Sequence, residues 1–460
     1  MSRLLISAAH KSSGKTTITI GLCAALYETG LKVQPFKKGP DYIDPMWLGR
    51  AAGRPCHNLD FYTMGRDEIV DTVSQFSADA DIAIIEGNKG LYDGLDLDGS
   101  NSNAALASLL KSPVVLVLDA RGMTRGIAPL ILGYQAFDPD IQIAGVILNQ
   151  LGGSRHESKL RSVIEHYTDV DVVGAVYRNS DMSIEERHLG LMPSNEDDSA
   201  EQKIQQIRDL LKQQVDLQKI RDIAASSPPL AAPASVLAPR KSPNLRIGVA
   251  RNDAFGFYYP DDLQALENAG AELIYIDTIR DQKLAPIDGL FIGGGFPEAR
   301  MQELAANRQM LSDIKAAIEN GLPTYAECGG LMYLSRSLEW QDKKADMVGV
   351  IPADTVMHER PQGRGYIRLQ ETEHHPWCQM EPKPDLVIAG HEFHYSALEN
   401  LDPAVSFAYR IVRGTGIDGH NDGIVIHNML ACYAHLRDTR SNHWAQRFVQ
   451  FVRQCKTQHA

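Results

Sequence analysis

Two segments far apart in this chain carry residue types that do chemistry. In the first, residues 323–334 read Pro-Thr-Tyr-Ala-Glu-Cys-Gly-Gly-Leu-Met-Tyr-Leu, so an apolar run stops at Cys328 and two glycines before a helix-like pattern begins. A sharp strand-to-helix turn of this kind lifts a thiol out of the fold as a nucleophile. The backbone N–H that follows can face a developing oxyanion, and Gly329 and Gly330 leave room for strained geometry. The bland reading is a small buried cysteine. The second segment, residues 8–17, reads Ala-Ala-His-Lys-Ser-Ser-Gly-Lys-Thr-Thr. Following a first strand and opening a helix, it reads as a phosphate loop rather than a chance turn. Backbone N–H groups from Lys11, Ser12, Ser13 and Gly14 to Thr17 would wrap a polyphosphate, Lys15 would reach its outer oxygens, and the Thr16 hydroxyl would hold Mg²⁺.

A Mg²⁺–nucleotide site needs further oxygen ligands. Asp41 and Asp44 lie in Lys37-Lys-Gly-Pro-Asp-Tyr-Ile-Asp-Pro45, Glu86 ends an apolar run, and Asp93 follows in Gly90-Leu-Tyr-Asp-Gly94. Singly, each reads as a solvated loop residue. Gathered at the carboxyl ends of parallel strands beside a phosphate loop, they become candidate ligands.

The elements that must position these residues are legible as short apolar runs separated by helix-compatible stretches. Residues 4–9, 81–85, 114–119, 143–148 and 172–176 are such runs in the first half, and 246–250, 273–276, 289–292 and 323–326 in the second. Continuous Val/Ile/Leu runs of this length mark strands buried on both faces of a parallel sheet. The one low-complexity stretch, residues 223–243, holds five prolines and no apolar period, and reads as an extended linker. The expected organisation is therefore two tandem α/β domains, residues 1–222 and 244–460, without an internal repeat.

Composition sets limits on function. The chain has 460 residues, 43% hydrophobic and 23% charged, with a formal net charge of −12. That charge argues against nucleic acid as a partner, since phosphate backbones are bound by clustered Lys and Arg. No apolar stretch reaches the length of a membrane helix, and the opening run is too short for a secretory signal, so the expected compartment is the cytoplasm, with no membrane partner. The six cysteines form no Cys-x-x-Cys pair, which argues against structural zinc and a disulfide framework.

The phosphate loop has Ala where the standard form has Gly at residue 9, and Lys11 four residues before Lys15. It resembles the deviant loop of the dethiobiotin synthetase and cell-division ATPase group. The segments at 37–45, 86–94, 186–191 (Glu-Arg-His-Leu-Gly-Leu), 254–255, 293–298 (Gly-Gly-Gly-Phe-Pro-Glu), 323–334 and 390–396 (Gly-His-Glu-Phe-His-Tyr-Ser) together resemble the cobyrinate a,c-diamide synthase family, in order from about residue 3 to 436. The resemblance implies an ATP-dependent amide ligase domain of the dethiobiotin synthetase-like phosphate-loop kind, joined to a class I glutamine amidotransferase-like domain. It implies amidation of the a and c acetates of an anionic tetrapyrrole, with ATP and L-glutamine as co-substrates and Mg²⁺ as cofactor. A homodimer is compatible with it.

On that resemblance Cys328 attacks the glutamine amide, and His435, at the end of the apolar run 424–434, takes and returns the proton. Backbone N–H groups near Gly294, Gly295 and Gly329 are the expected oxyanion donors. The core-histidine reading of His435 remains open. ATP would phosphorylate a substrate carboxylate, and ammonia would displace the phosphate. Thr16, Asp41 and Glu86 are expected at the metal, with Tyr42, Ile43, Asp44, Lys89 and Asp93 at the substrate or intermediate. Lys37, Lys38, Arg187 and His188 would meet its carboxylates; for the lysines a solvated face is the competing reading.

Other features depart from the family or stay outside it. The triad position two residues after the histidine, usually Glu, is Arg437; no third residue is assigned. Asn88-Lys89 replaces an apolar pair, and Ser100-Asn-Ser-Asn-Ala104 is unusual, so the substrate is cobyrinate or, alternatively, sirohaem or nickel sirohydrochlorin, as in relatives with the same chemistry. From another class, a deviant-loop ATPase switch would explain Lys11 and Lys15 but leave Cys328 and the second domain without work. The histidines 358, 374, 375, 391 and 394 fit no compact metal site, and the amphipathic stretch 444–453 reads as a core-packing last helix rather than a membrane helix.

Overall fold

The computed structural model describes residues 1–182, 184–187, 190–197, 199–230, 242–377 and 386–458. They form two compact units, Met1–Val236 and Leu237–Ala460. The expected linker lies partly outside the described residues, but its first three, Ile223 to Ala225, close the helix Leu217–Ala225. Composition hid this because Ile-Ala-Ala is as helical as it is linker-like. The chain then stays on the first unit: the buried Arg3 guanidinium donates to the carbonyls of Leu110 and Pro228 at 2.6 Å each.

The first unit is built on a seven-stranded sheet. Its order is His57–Leu59, Val33–Lys38, Ile82–Glu86, Ser2–Ala8, Val114–Asp119, Ile143–Leu151, Asp171–Tyr177, with every neighbouring pair parallel. Parallel neighbours need crossover connections, and the intervening helices supply most of them. All five apolar runs of this half are strands. The two strands without an apolar signature, Val33–Lys38 and His57–Leu59, are buried along their full length. Their polar residues, including Lys37 and Lys38, are tolerated inside because the site supplies partners for them, which no periodicity reports. The order sets the ends of Val33–Lys38, Ile82–Glu86 and Ser2–Ala8 side by side, with Lys37 in register with Glu86.

The second unit carries a nine-stranded mixed sheet. Ala271–Ile276, Leu245–Ala250, Gly289–Ile292, Thr324–Glu327 and Met429–Cys432 lie in parallel. Asn421–Ile426, Ser406–Arg413, Gly363–Glu371 and Val387–His394 extend it antiparallel. The apolar run 424–434 is thus not one element: it belongs to two paired strands joined at His427-Asn428. The last helix, Trp444–Gln458, buries Trp444, Phe448, Val449 and Val452 in the core, as a packing helix does. No helix among the described residues is long and apolar enough to cross a membrane.

Candidate active site

In the second unit the carboxyl ends of Gly289–Ile292, Thr324–Glu327 and Met429–Cys432 are adjacent, so the loops leaving them converge. Cys328 caps the short helix Gly329–Leu334 with φ 46° and ψ −100°, a conformation that costs a non-glycine residue on the order of 1–3 kcal/mol and is found where function demands it. Its N–H is tied to Cys432 O at 2.7 Å, which anchors the turn to the neighbouring strand. The same strand continues to His435, whose side chain hydrogen-bonds Cys328. The three expected glycines are there too. A Cβ on Gly294 would lie 2.6 Å from His435 Cε1, one on Gly329 would lie 3.0 Å from Gly295 N, and one on Gly295 would collide with Ala254 O at 2.0 Å. Only glycine lets these backbones close around the thiol.

Sequence reasoning named no partner for His435, and the structure provides one. Glu327, the residue before Cys328, is buried, and its Oε2 lies 3.2 Å from His435 Nδ1. Its Oε1 accepts from Tyr325 OH at 2.6 Å and from Leu436 N at 2.9 Å. Burial works against the imidazolium, but the hydrogen bonds to Cys328 and Glu327 and their charges outweigh it and hold the His435 pKa up to about 10. Arg437, where a triad glutamate would stand, is buried and donates to Asp261 Oδ2 at 2.7 Å. Two further histidines of the unassigned set pack around this centre: the His391 ring stacks on His435 at 4.9 Å, and the His394 ring on Tyr433 at 3.8 Å.

In the first unit the helix Lys15–Glu28 begins at Gly14, which is left-handed at φ 85°. The Thr16 hydroxyl lies 2.9 Å from Glu86 Oε1 and 3.2 Å from Asp44 Oδ2. Lys37 Nζ binds the same two oxygens, at 2.6 Å and 2.5 Å, with Asp41 Oδ2 at 3.7 Å. The solvated-face reading of the lysines is therefore overturned: Lys37 is 3% exposed and Lys38 6%. Burial opposes the Lys37 ammonium, yet Asp44, Glu86 and Asp41 hold its pKa well above the usual value. Lys15 goes the other way, down to about 8, through burial and then repulsion from Lys37.

Other expected site residues fall differently. Asp41 is committed to the fold, its Oδ1 accepting from Ile43 N at 2.9 Å and Asp44 N at 3.1 Å to cap the helix Ile43–Ala52. Tyr42 and Ile43 are 8% and 7% exposed, turned inward by the start of that helix, so neither offers the substrate surface expected of it. Asp93 Oδ2 accepts from Gly90 N at 2.9 Å and closes its turn. Lys11, Ser12 and Lys89 are exposed, whereas Ser13 is buried. Lys38 Nζ reaches Asn88 Oδ1 at 3.4 Å. The unusual 100–104 segment is structural. Ser102 caps the helix Asn103–Leu109, Asn101 accepts from Leu95 N, and buried Asn103 joins Gly90 O to Asn88 N at 2.9 Å and 3.1 Å. Asn58, also missed, holds Gly39 O and Asp41 O at 2.8 Å and 2.7 Å. His188 and the Arg187 side chain lie outside the described residues.

The donors around Thr16 fit a hard cation. Two carboxylates and a hydroxyl converge, and Glu86 Oε2 is buried without a hydrogen-bond partner. Mg²⁺ takes such a set, with one or two carboxylates and the remaining positions left to phosphate and water.

Residues 5–191 match the CobQ/CobB/MinD/ParA nucleotide binding domain, and residues 246–442 the CobB/CobQ-like glutamine amidotransferase domain. With the two sites described above, the protein is a glutamine-dependent, ATP-driven amide ligase. The cobyrinate a,c-diamide synthase of Magnetococcus marinus is 45% identical over 98% of this chain and 97% of its own length. Those of Methanosarcina acetivorans and Archaeoglobus fulgidus are 43% and 40% identical, over 94% and 97% of this chain and 92% and 97% of theirs. The chain belongs to the cobyrinate a,c-diamide synthase family.

Proposed function

We propose that this enzyme converts the a and c acetates of cobyrinate to amides, with Cys328 and His435 releasing ammonia from glutamine. The observation that carries this reading is the hydrogen-bonded Cys328–His435 pair at a strained turn. An ATPase switch has no use for it.

Cys328 Sγ adds to the glutamine amide carbon, and the oxyanion faces the N–H groups of the Gly294, Gly295 and Gly329 loops. His435 gives its proton to the departing ammonia, then draws one from the water that cleaves the thioester and returns the thiolate. In the first unit a substrate acetate oxygen attacks the γ-phosphorus of ATP and ADP leaves. Ammonia then adds to the acyl phosphate and phosphate departs, leaving the amide. Lys15 spreads charge on the transferring group. Thr16, Asp44 and Glu86 would hold Mg²⁺, with Asp44 taking the place that sequence reading assigned to Asp41; when bound, the cation neutralises phosphate charge. The thiol nucleophile requires a reducing compartment, which agrees with the cytoplasm.

The test is Cys328→Ala with glutamine or ammonium as nitrogen source and cobyrinate as acceptor. Glutamine-dependent amidation is expected to vanish and ammonium-dependent amidation to persist. Glutaminase activity in the variant would refute the site, and failure of the parent enzyme to amidate cobyrinate with either nitrogen source would refute the substrate.

A further inference from the structure

We infer that Glu327 is the positioning residue of the glutaminase centre, holding the Nδ1–H tautomer of His435 so that the opposite ring nitrogen faces Cys328. The inference rests on the reading of Cys328 and His435 as nucleophile and base, and adds a residue to it.

Glu327 ends the strand Thr324–Glu327 and is in register with Cys432 on the adjacent strand, so the turn to Cys328 and the stretch to His435 both start from one point of the sheet. A carboxylate accepts and cannot donate, so the 3.2 Å contact to Oε2 requires the hydrogen on Nδ1. The other oxygen is saturated by Tyr325 OH and Leu436 N, which fixes the carboxylate plane and leaves Oε2 for the imidazole. A glutamine could serve Oε1 equally well. What needs the acid is the second oxygen, where an amide NH₂ would reverse the tautomer.

The rest of the surroundings excludes other candidates. Arg437 has turned the usual carboxylate position into a buried cation, 2.7 Å from Asp261 and over the Tyr259 ring at 5.1 Å. Asp262 accepts from Asp438 N at 2.7 Å. His391, stacked on His435, is driven well below its usual pKa by burial, then by His435 and Arg437, so its ring stays neutral and supplies no carboxylate-like partner. In this chain the orienting carboxylate reaches the histidine from the strand that carries the nucleophile, not from beyond the histidine.

Glu327→Gln preserves shape and the Oε1 bonds. Its glutamine hydrolysis is expected to fall about 100-fold in kcat, the scale of a misplaced general base, with little change in KM for glutamine. The alkaline limb, set by His435 at about 10, is expected to move to lower pH, because losing a carboxylate removes a stabiliser of the imidazolium. Glu327→Asp should recover part of the rate, and ammonium-dependent amidation, which makes no use of this centre, reports that the protein is folded. Parental kcat and limb in Glu327→Gln, with Cys328→Ala inactive, would overturn the inference and leave the function intact. Glutaminase activity in Cys328→Ala would remove the reading beneath it. Independently of any Glu327 variant, ¹⁵N spectra of the histidine-labelled parent recorded above pH 10, where the ring gives up its second proton, with His435 assigned by comparison with His435→Gln, should show Nδ1 still protonated and Nε2 bare. An Nε2–H, Nδ1-bare ring would overturn the proposal.

Discussion

Lys37 is the residue whose loss the structure prices most directly. Its ammonium lies 2.5 Å from Asp44 Oδ2 and 2.6 Å from Glu86 Oε1, with the lysine 3% exposed and Glu86 wholly buried. At an effective dielectric of about 20, each contact is worth roughly 6 kcal/mol of gross attraction, most of it offset by the cost of burying three charges. Lys37→Met removes the attraction but leaves the carboxylates in place, and breaking a buried pair from one side costs about 3–5 kcal/mol. For a unit of this size that lowers the melting temperature by about 6–20 °C. A divalent cation should replace the missing charge. Thermal melts of the full chain with and without millimolar Mg²⁺ are therefore expected to show a first-unit transition that is depressed in Lys37→Met and restored by Mg²⁺ more than in the parent. A variant as stable as the parent, or one indifferent to Mg²⁺, would refute the account of Lys37 as counter-ion to these carboxylates.

Asp44→Asn and Glu86→Gln are each expected to abolish most amidation with either nitrogen source while sparing glutamine hydrolysis. Asp41→Asn, which keeps a capping side chain, should lose far less; equal losses in all three, measured as kcat for amidation, would show that Asp41 belongs at the reacting centre. Gly295→Ala forces a Cβ to 2.0 Å from Ala254 O, so glutamine hydrolysis should collapse, and a normal glutaminase rate would mean that this loop does not frame the oxyanion. Lys89 is exposed, and an exposed charge contributes at most about 1 kcal/mol. Lys89→Met should therefore change the preference between cobyrinate and sirohaem by no more than about fivefold in kcat/KM; a larger switch would mean that the ammonium is buried against the bound tetrapyrrole.

Sequence alone carried the α/β architecture and marked the loop at 8–17 and the turn at Cys328, because each leaves a local trace. Runs such as 114–119 and 289–292 are apolar since both faces of a parallel strand are buried, and Cys328-Gly329-Gly330 is a turn whose glycines are demanded by backbone approach. The division of labour among the acids was not local. Asp41 and Asp44 are equivalent in the sequence, yet one caps a helix and the other meets Thr16, because only the strand order beside Ser2–Ala8 decides which carboxylate faces the loop. Lys37 and Lys38 look like surface residues, for burial of a charge depends on partners brought in by other strands. Glu327 is adjacent to Cys328 in the sequence. Its contact with His435 is made across 108 residues, through the pairing of Thr324–Glu327 with Met429–Cys432, and no spacing along the chain encodes that pairing.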